Sequence, residues 1–600
     1  MNLRNCRKNG AASRRGSRWG VILLLLVAAA IRLLYAREYV QRPESRHLTL
    51  DALYHAYWAN ALVTGDWTPP ATQLDPEIQQ HPYFRPPGYP FFAAAILAAA
   101  HGAWHAPMLA QMALGVASVW LALRIGRRWA GAGIGWGWAI GMALTWSFPY
   151  FEGEWLEPAL LVFLGLSLVG LLAFWLDDRF GWPGFGAGIL MGLYALVRPN
   201  ALVLAPFIMF WGLWVARRRK RVRGFAKGAV VFALATAAVL APAAIRNHRV
   251  SGEWVPVSAN GGVNLYCGNN PNADGYNPGA PEIGFWESFD YARLLKTLPS
   301  RPGMTYTEAD REFSRRAWVY IRTHPGRTVQ LLWRKTLLFW GPREVGNNKD
   351  DDLERQASAV LRKLPLTFAL AHAGFWLGAG LLFWSARRKR QSQTDAVRRA
   401  PVELAVLLAV LAFSLFVSYL PFIVSGRYRI PVIPFLLFFG AYAVHQIIEF
   451  VRERQWRLLA GWGLTAAGLV VLTHVNWAGF EPDETGFLYG RGRSYDLDGQ
   501  TAVAARFFQQ AAEREPRYSR KLTLAARSYM ARGRAEAALV RLRHAVAGNP
   551  RDPEAWLLLA EILDGQGRAD EARRALQDGM KQNSASASLR RALASHETNP

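Results

Sequence analysis

The run ALVLAPFIMFWGLWVARRRKRVRGFAKGAVVFALATAAVL, residues 201–240, decides the fold class. Two apolar stretches flank a basic block at 217–223, which contains six Arg and Lys residues. Apolar stretches of this length can cross the hydrocarbon core of a bilayer as helices, and Lys and Arg collect at their cytoplasmic ends. The run therefore predicts two membrane spans joined by a cytoplasmic turn.

Apolar segments of the same kind recur along the 600-residue chain up to about residue 475, and the rest is strongly polar. They lie near 19–36, 89–103, 107–123, 131–148, 159–176, 184–198, 200–216, 228–245, 365–385, 402–420, 429–448 and 457–475. Such blocks indicate membrane helices rather than strands. We predict an all-α protein with a polytopic helical membrane bundle of about 11 spans, followed by a soluble α-solenoid.

The basic residues orient this bundle. With the block at 217–223 in the cytoplasm, the loops 37–88 and 246–364 lie outside, while the basic tail 1–18 and residues 387–390 lie inside. The membrane domain is then 19–475, and the C-terminal domain is extracytoplasmic. We expect a multi-pass protein of a bacterial inner membrane.

A cytoplasmic N-terminal tail and an extracytoplasmic C-terminal domain require an odd number of spans, so one of the twelve segments does not cross. Segment 89–103 is our first choice, because about 15 residues make a helix of roughly 22 Å, shorter than the hydrocarbon core. Segment 184–198 is the alternative. The first segment resembles a signal peptide, but Arg32 stands near its end in place of a small-residue cleavage site, so we predict an uncleaved span.

The net charge of +26 does not indicate nucleic-acid binding, because the densest basic runs adjoin the ends of apolar segments, where they determine topology. The chain contains only two cysteines, Cys6 and Cys267, and they are far apart. No disulfide framework is therefore predicted.

Residues 496–600 form a second domain behind a linker at 476–495, and several residues in it recur every 34 positions. The recurring residues include Gly499, Gly533 and Gly567, Ala504, Ala538 and Ala572, and Pro516 and Pro550. The pattern resembles the tetratricopeptide repeat, in which Gly and Ala let paired helices approach closely and Pro ends the second helix. Such solenoids bind protein partners on a concave face. A cap packed on the membrane domain is the alternative.

Polar residues concentrate at the predicted outer ends of the spans. Groups that act together must share one side of a membrane, so this concentration marks a candidate site. Its members are Asp51, His81, Arg85, Glu152, Glu154, Glu157, Arg198, Arg246, Arg427 and Arg429.

Several of these residues lie in segments that resemble the C-type glycosyltransferase superfamily. The likeness is to bacterial relatives of protein O-mannosyltransferases and of the aminoarabinose transferase that modifies lipid A, and it covers about residues 20–475. The segments, in family order, are RPPGYPFF at 85–92, LEPALLVFL at 156–164, LVRPNAL at 196–202, APAAIRNHRV at 241–250 and SGRYRIPVIPFLL at 425–437.

The resemblance implies transfer of a sugar from a polyprenyl-phosphate donor. It places a base or acceptor-orienting carboxylate at Asp51, since an acceptor must lose a proton as it attacks the sugar. Helix capping is the alternative role for Asp51. It also places phosphate-binding arginines at Arg85, Arg246 and Arg427, with Arg429 an equal alternative to Arg427. Arginines at span ends also anchor proteins to lipid headgroups.

A second carboxylate is implied at Glu157. Glu154 is the alternative, because it lies three residues earlier and would share a helical face. His81 is a candidate for phosphate binding, and one histidine without a second ligand is poor support for a metal. We expect no metal and no cofactor besides the lipid-linked donor. The chain has no nucleotide-binding fingerprint.

We therefore predict an inverting glycosyltransferase that acts on a protein, lipid or glycan acceptor. A flippase of lipid-linked sugars and a catalytically degenerate assembly scaffold are the alternatives.

Overall fold

The computed structural model describes residues 3–70, 78–277, 305–346, 348–389, 400–515, 518–530, 533–584 and 586–598. The described residues form two compact units. The first comprises most of the chain up to Phe480, and the second consists mainly of Tyr39–Thr49 and the residues from Glu481 onward. Regular structure in these residues is helical except for one isolated bridge, so the predicted all-α class is confirmed.

The first unit is a bundle of helices with short helices in its loops. Its α-helices are α1 (Leu3–Val40), α2 (Leu50–Thr64), α3 (Gly88–Ala99), α4 (Ala106–Trp129), α5 (Ala132–Leu144), α6 (Ser147–Gly153), α7 (Pro158–Leu172), α8 (Gly181–Val197), α9 (Leu204–Arg218), α10 (Val222–Ser251), α11 (Gly261–Gly268), α12 (Tyr306–Thr323), α13 (Pro325–Trp340), α14 (Asp351–Ala357), α15 (Phe368–Lys389), α16 (Ala400–Tyr419), α17 (Ile433–Arg452) and α18 (Trp456–His474).

Nine helical segments in the described part of the chain are long and apolar enough to cross a membrane. They are Arg18–Val40, Ala106–Trp129, Pro158–Asp177, Pro199–Arg218, Val222–Ser251, Phe368–Arg387, Ala400–Tyr419, Ile433–Arg452 and Trp456–His474. Helix composition therefore makes this a multi-pass membrane protein. Of the predicted basic turn at 387–390, the last residue lies outside the described residues.

Three shorter apolar helices, α3, α5 and α8, bring the segments to the predicted twelve. Helix α8 begins close to Asp177, which pairs with Arg128 at 2.6 Å, and it ends at Arg198, which pairs with Glu157 before α7. Since α7 and its 3-10 extension lead from Glu157 back to Asp177, α8 spans the same distance in the opposite direction. Helix α8 thus runs alongside α7, and the choice between segments 89–103 and 184–198 as the one that does not cross stays a prediction.

Helix α3 has both ends on the Glu157 side of the bundle. A Cβ atom on Gly88, its first residue, would lie 2.6 Å from the backbone nitrogen of Val197, so α3 starts against the end of α8. After α3, the ring of Trp104 lies 4.8 Å from that of Trp155. This placement agrees with the prediction that segment 89–103 does not cross.

A buried ion pair ties α1 to α6. The Arg32 guanidinium contacts both carboxylate oxygens of Glu152, with Nε 2.7 Å from Oε2 and Nη2 2.8 Å from Oε1. Both residues are buried, and Gly115 on α4 leaves the space that their side chains fill. Arg32, whose position in the sequence argued only against a cleavage site, is thus part of the core.

The second unit consists of helical pairs. Its helices are α19 (Glu484–Leu497), α20 (Thr501–Arg514), α21 (Tyr518–Met530), α22 (Ala535–Gly548), α23 (Pro553–Gly565), α24 (Ala569–Gln582) and α25 (Ala587–Thr598). Gly499, Gly533 and Gly567 lie in the turn within each successive pair and have φ of +79°, +71° and +73°. Glycine adopts this left-handed backbone at no steric cost, which explains its 34-residue recurrence.

The first pair begins earlier than the sequence indicated. Helix α19 occupies most of 476–495, which we had predicted to be a linker. The repeat spacing revealed α20 but not its partner, because few matched positions fall before Gly499.

We expect Arg32→Met to destabilise the membrane unit by about 3–5 kcal/mol, because it leaves Glu152 charged and unpaired in the core. The double variant Arg32→Met/Glu152→Met should lose much less. Thermal unfolding in detergent, followed by tryptophan fluorescence, measures both, and Arg37→Gln at an exposed position of α1 is the matched control. Equal losses in the single and double variants would contradict this account.

Candidate active site

The candidate site starts at the first turn of α2. Leu50, its first residue, has φ of +53°, a left-handed conformation that is strained for a bulky side chain. Such strain persists only where surrounding contacts enforce it, and it concentrates at functional sites. The next residue is Asp51.

Two arginines from distant parts of the sequence bind the Asp51 carboxylate. Arg85 Nη1 lies 2.6 Å from Oδ1, and Arg427 Nη2 lies 2.7 Å from Oδ2. The Arg85 guanidinium also stacks on the Tyr54 ring, 4.4 Å from its centroid. Each carboxylate oxygen thus has its own cation, and two of the predicted phosphate-binding arginines lie on either side of Asp51.

This arrangement controls the charge of Asp51. Burial raises the pKa of its carboxyl, but the positive charges of Arg427 and then Arg85 outweigh burial and hold the pKa far below its usual range. Asp51 is therefore ionised at any physiological pH. A carboxylate stabilised this strongly is also a weak base, since proton affinity falls with pKa.

Glu157 forms a second ion pair beside the first. Its Oε1 lies 2.5 Å from Arg198 Nη2, and the Arg198 guanidinium stacks over the Tyr428 ring at 4.5 Å. Burial raises the pKa of Glu157, but the charges of Arg198 and Arg427 lower it further, so the net shift is downward. Because Arg427 acts on both Asp51 and Glu157, the two pairs form one cluster of two carboxylates and three arginines.

The turn that holds Arg427 is fixed from both sides. Gly426 donates its N–H to Val345 O at 2.7 Å, and a side chain on Gly426 would press on the carboxylates of Asp351 and Glu344. Arg429 is fully buried and donates to backbone carbonyls, including Gly341 O at 2.8 Å, and to Glu344. Of the two arginines that the sequence could not separate, Arg427 faces Asp51 and Arg429 supports the turn.

We had expected Glu154 to share a helical face with Glu157, and it does not. Helix α6 ends at Gly153 and α7 begins at Pro158, so the chain between them is not helical. Glu154 instead pairs with Lys349 at 2.7 Å. Gln111 donates to the carbonyls of Glu152 and Glu154, which fixes this non-helical junction.

Arg246 contacts the loop that carries Arg85, and His81 is part of that loop. Arg246 Nη2 donates to Pro82 O at 2.8 Å and also binds the amide oxygen of Asn247. The His81 ring packs against Tyr306, with centroids 4.3 Å apart. These contacts give both residues a role in shaping the loop.

Three residues acquire a specific partner only in the structure. Arg198 was noted only as an outer position, and its pairing with Glu157 depends on the packing of α7 against α8. His55 lies one turn after Asp51 on α2, and this spacing of four residues was an available signal. Lys349 sits in a polar loop with no motif.

Among the described residues, no group of three or more His, Cys, Asp or Glu side chains is arranged to hold a metal ion. The site's charges are instead Arg–carboxylate pairs.

The comparisons with known proteins fall into two parts. Residues 529–595 match the tetratricopeptide repeat family, which confirms the predicted repeat in the second unit. No curated protein matches the chain.

Solved structures of an Archaeoglobus fulgidus oligosaccharyltransferase match most of the chain distantly. The structure described as the archaeal oligosaccharyltransferase AglB with an inhibitory peptide and a dolichol-phosphate is 14% identical, with a TM-score of 0.40, and the match covers 81% of this chain and 56% of that one. The Archaeoglobus enzyme in complex with Zn and sulfate is 16% identical, with a TM-score of 0.39, over 80% and 57% of the two chains. The chain thus spans little more than half the length of these enzymes.

We expect Asp51→Asn to lower stability at neutral pH, because Arg85 and Arg427 lose their counter-charge. The pKa of Asp51 is lower in the folded than in the unfolded protein, so its contribution is full above about pH 4 and is lost as the pH falls further. Unfolding measured in urea between pH 3 and pH 7 should therefore show a smaller acid-dependent loss in Asp51→Asn than in wild type. Glu453→Gln, at an exposed position, is the control; identical pH profiles for wild type and Asp51→Asn would refute the assignment.

Proposed function

We propose that this protein is a membrane glycosyltransferase that moves a sugar from a polyprenyl-phosphate donor to an acceptor. The observation that carries the proposal is the convergence of Arg85 and Arg427 on Asp51, beside Arg198 and Glu157. A lipid phosphate is the ligand that such a pair of guanidinium groups fits at the end of a membrane bundle. The sequence likeness to C-type glycosyltransferases adds the reaction type.

The arginines would act on the leaving group. When the bond between the sugar and the phosphate breaks, negative charge grows on the phosphate oxygens, and fixed cations nearby stabilise that charge. Arg85 and Arg427 would bind the phosphate with guanidinium N–H groups, while the Asp51 carboxylate keeps both guanidinium groups oriented. Asp51 would also orient the acceptor.

The reaction would be a single displacement with inversion at the anomeric carbon. The acceptor attacks from the side opposite the phosphate, and Glu157, held by Arg198, would orient the sugar or the acceptor. The prenyl tail would lie between spans, and the donor needs no nucleotide or metal cofactor. The acceptor is a protein, a lipid or a glycan.

Charge placement supports an orientation for the site. The basic block at 217–223 follows the helical segment Pro199–Arg218, which starts next to Arg198 in the cluster, so the block and the cluster are at opposite ends of that segment. If this block is cytoplasmic, the site faces outward from the inner membrane, with the N-terminus inside and the repeat unit outside. The repeat unit would then offer a binding surface to a protein partner in the same compartment.

Two alternatives make different demands on the molecule. A flippase of lipid-linked sugars needs polar groups near the middle of the membrane, commonly in broken and repeated helices. Here the Asp51 cluster lies at helix ends. An assembly scaffold could rely on the repeat unit alone. It would not need two arginines bound to one carboxylate in the membrane unit.

The test is transfer by the purified protein in lipid nanodiscs, with radiolabelled polyprenyl-phosphate sugars and a panel of peptide, lipid and glycan acceptors. We expect transfer by the wild type, and a fall in rate of about 10²–10³-fold in Arg85→Gln and in Arg427→Gln, as for other groups that stabilise developing charge. Arg315→Gln, which breaks an exposed ion pair with Glu312, is the matched control.

The three functions give different results in this assay. Movement of labelled donor across the bilayer without transfer would support the flippase. The absence of both transfer and movement would support the scaffold. Undiminished transfer by both arginine variants would refute their role as phosphate ligands.

A further inference from the structure

His55 lies one helical turn after Asp51 on the same face of α2. Its Nδ1 atom is 3.0 Å from the carbonyl oxygen of Trp155, in the junction that leads to Glu157. A carbonyl oxygen only accepts hydrogen bonds, so Nδ1 must carry the hydrogen. In the neutral imidazole, Nε2 then has the lone pair and can accept a proton.

The surroundings of His55 keep this lone pair available. Within the described residues, no hydrogen-bond partner contacts Nε2, and the ring is only half-buried. The charged groups that face the ring are Glu157, Asp51 and Arg85, and the Tyr89 ring on α3 packs against it with centroids 4.8 Å apart. The imidazole therefore interacts electrostatically with both carboxylates of the cluster.

The burial of His55 favours its neutral form. Burial lowers the pKa of the imidazole, and Glu157 and Asp51 raise it less than burial lowers it, so the pKa lies below the usual value near 6.5. His55 is thus mostly unprotonated at neutral pH. Asp51 differs, because each of its oxygens is already bound to an arginine.

We propose, on the basis of the function proposed above, that His55 Nε2 accepts the proton of the attacking group during transfer. The acceptor's O–H or N–H bond breaks and its proton moves to Nε2, while its oxygen or nitrogen forms a bond to the anomeric carbon. The bond from that carbon to the phosphate oxygen breaks at the same time, and its electron pair leaves with the lipid phosphate on Arg85 and Arg427. The resulting imidazolium is stabilised by Glu157 and Asp51.

This division of roles answers a difficulty in the predicted site. A single carboxylate would have to bind two arginines tightly and also act as a base, and the first task weakens the second. With His55 as the proton acceptor, Asp51 keeps its charge and the arginines keep their positions. The substrate class follows from the chemistry, since a neutral hydroxyl or amine is the kind of group that a neutral imidazole deprotonates.

The decisive variant is His55→Asn. The Asn side-chain amide can replace Nδ1–H as a donor to the Trp155 carbonyl, but it cannot accept the proton. Single-turnover transfer would be measured between pH 5 and pH 8 in wild type, His55→Asn and the control His101→Asn. His101 lies in an exposed turn at φ of +51°, a conformation that Asn tolerates.

In the wild type we expect the rate to rise with pH and level off near neutrality, because His55 must be unprotonated to react. His55→Asn should be slower by about 10²–10⁴-fold and should lose the rising limb, while it binds labelled polyprenyl-phosphate sugar as the wild type does. Added imidazole should restore part of its rate. His101→Asn should match the wild type.

The inference is overturned if His55→Asn loses less than about tenfold in rate, a smaller effect than removal of a general base causes. It is overturned too if the rising limb remains, or if the variant fails to bind donor, which would make His55 a positioning residue. Absence of transfer by the wild type itself would refute the proposed function. Transfer by the wild type with unchanged His55→Asn would refute only the role of His55.

Discussion

The end of α6 and the non-helical junction that follows it carry three carboxylates, and the rest of the membrane unit is arranged around their pairing. A carboxylate removed from water must be neutralised by a cation, since an unpaired buried charge costs several kcal/mol. Each of the three finds its cation on a different element of the fold. The pairs are Glu152 with Arg32 on α1, Glu154 with Lys349 before α14, and Glu157 with Arg198 after α8. One short segment therefore fixes the relative positions of three distant parts of the chain.

The same electrostatic reasoning explains how the cluster divides its tasks. An ion pair with two arginines makes Asp51 permanently charged, which suits a residue that positions cations and not one that takes up protons. Burial keeps His55 neutral, and the two carboxylates nearby stabilise it once it gains a proton. The pKa values of Asp51 and His55 are both lowered, which leaves the carboxylate charged and the imidazole neutral at the same pH.

Much of the fold could be predicted from the sequence because apolar length and repeat spacing are local signals. The twelve apolar segments, the short helix α3 and the 34-residue repeat all depend on residues close together in the chain. The first repeat helix, α19, was not predicted because few of its residues recur at the 34-residue spacing. The site was harder to predict. Asp51, Arg85 and Arg427 were each chosen individually, but their mutual contacts depend on how α2, α3 and α17 pack. The roles of Arg198 and Lys349 depend on their partners Glu157 and Glu154, and position alone could not separate Arg246 from Arg85 and Arg427.

The buried pair of Arg32 and Glu152 also constrains how this chain can change over evolutionary time. A substitution at either position alone leaves a charge without its partner, so a lineage that loses one is expected to lose or exchange the other. Gly115 is expected to vary with them, because a larger residue at that position fits only after the two long side chains have been replaced. Among relatives of this protein, positions 32, 115 and 152 should therefore vary together, even though they lie on three different helices.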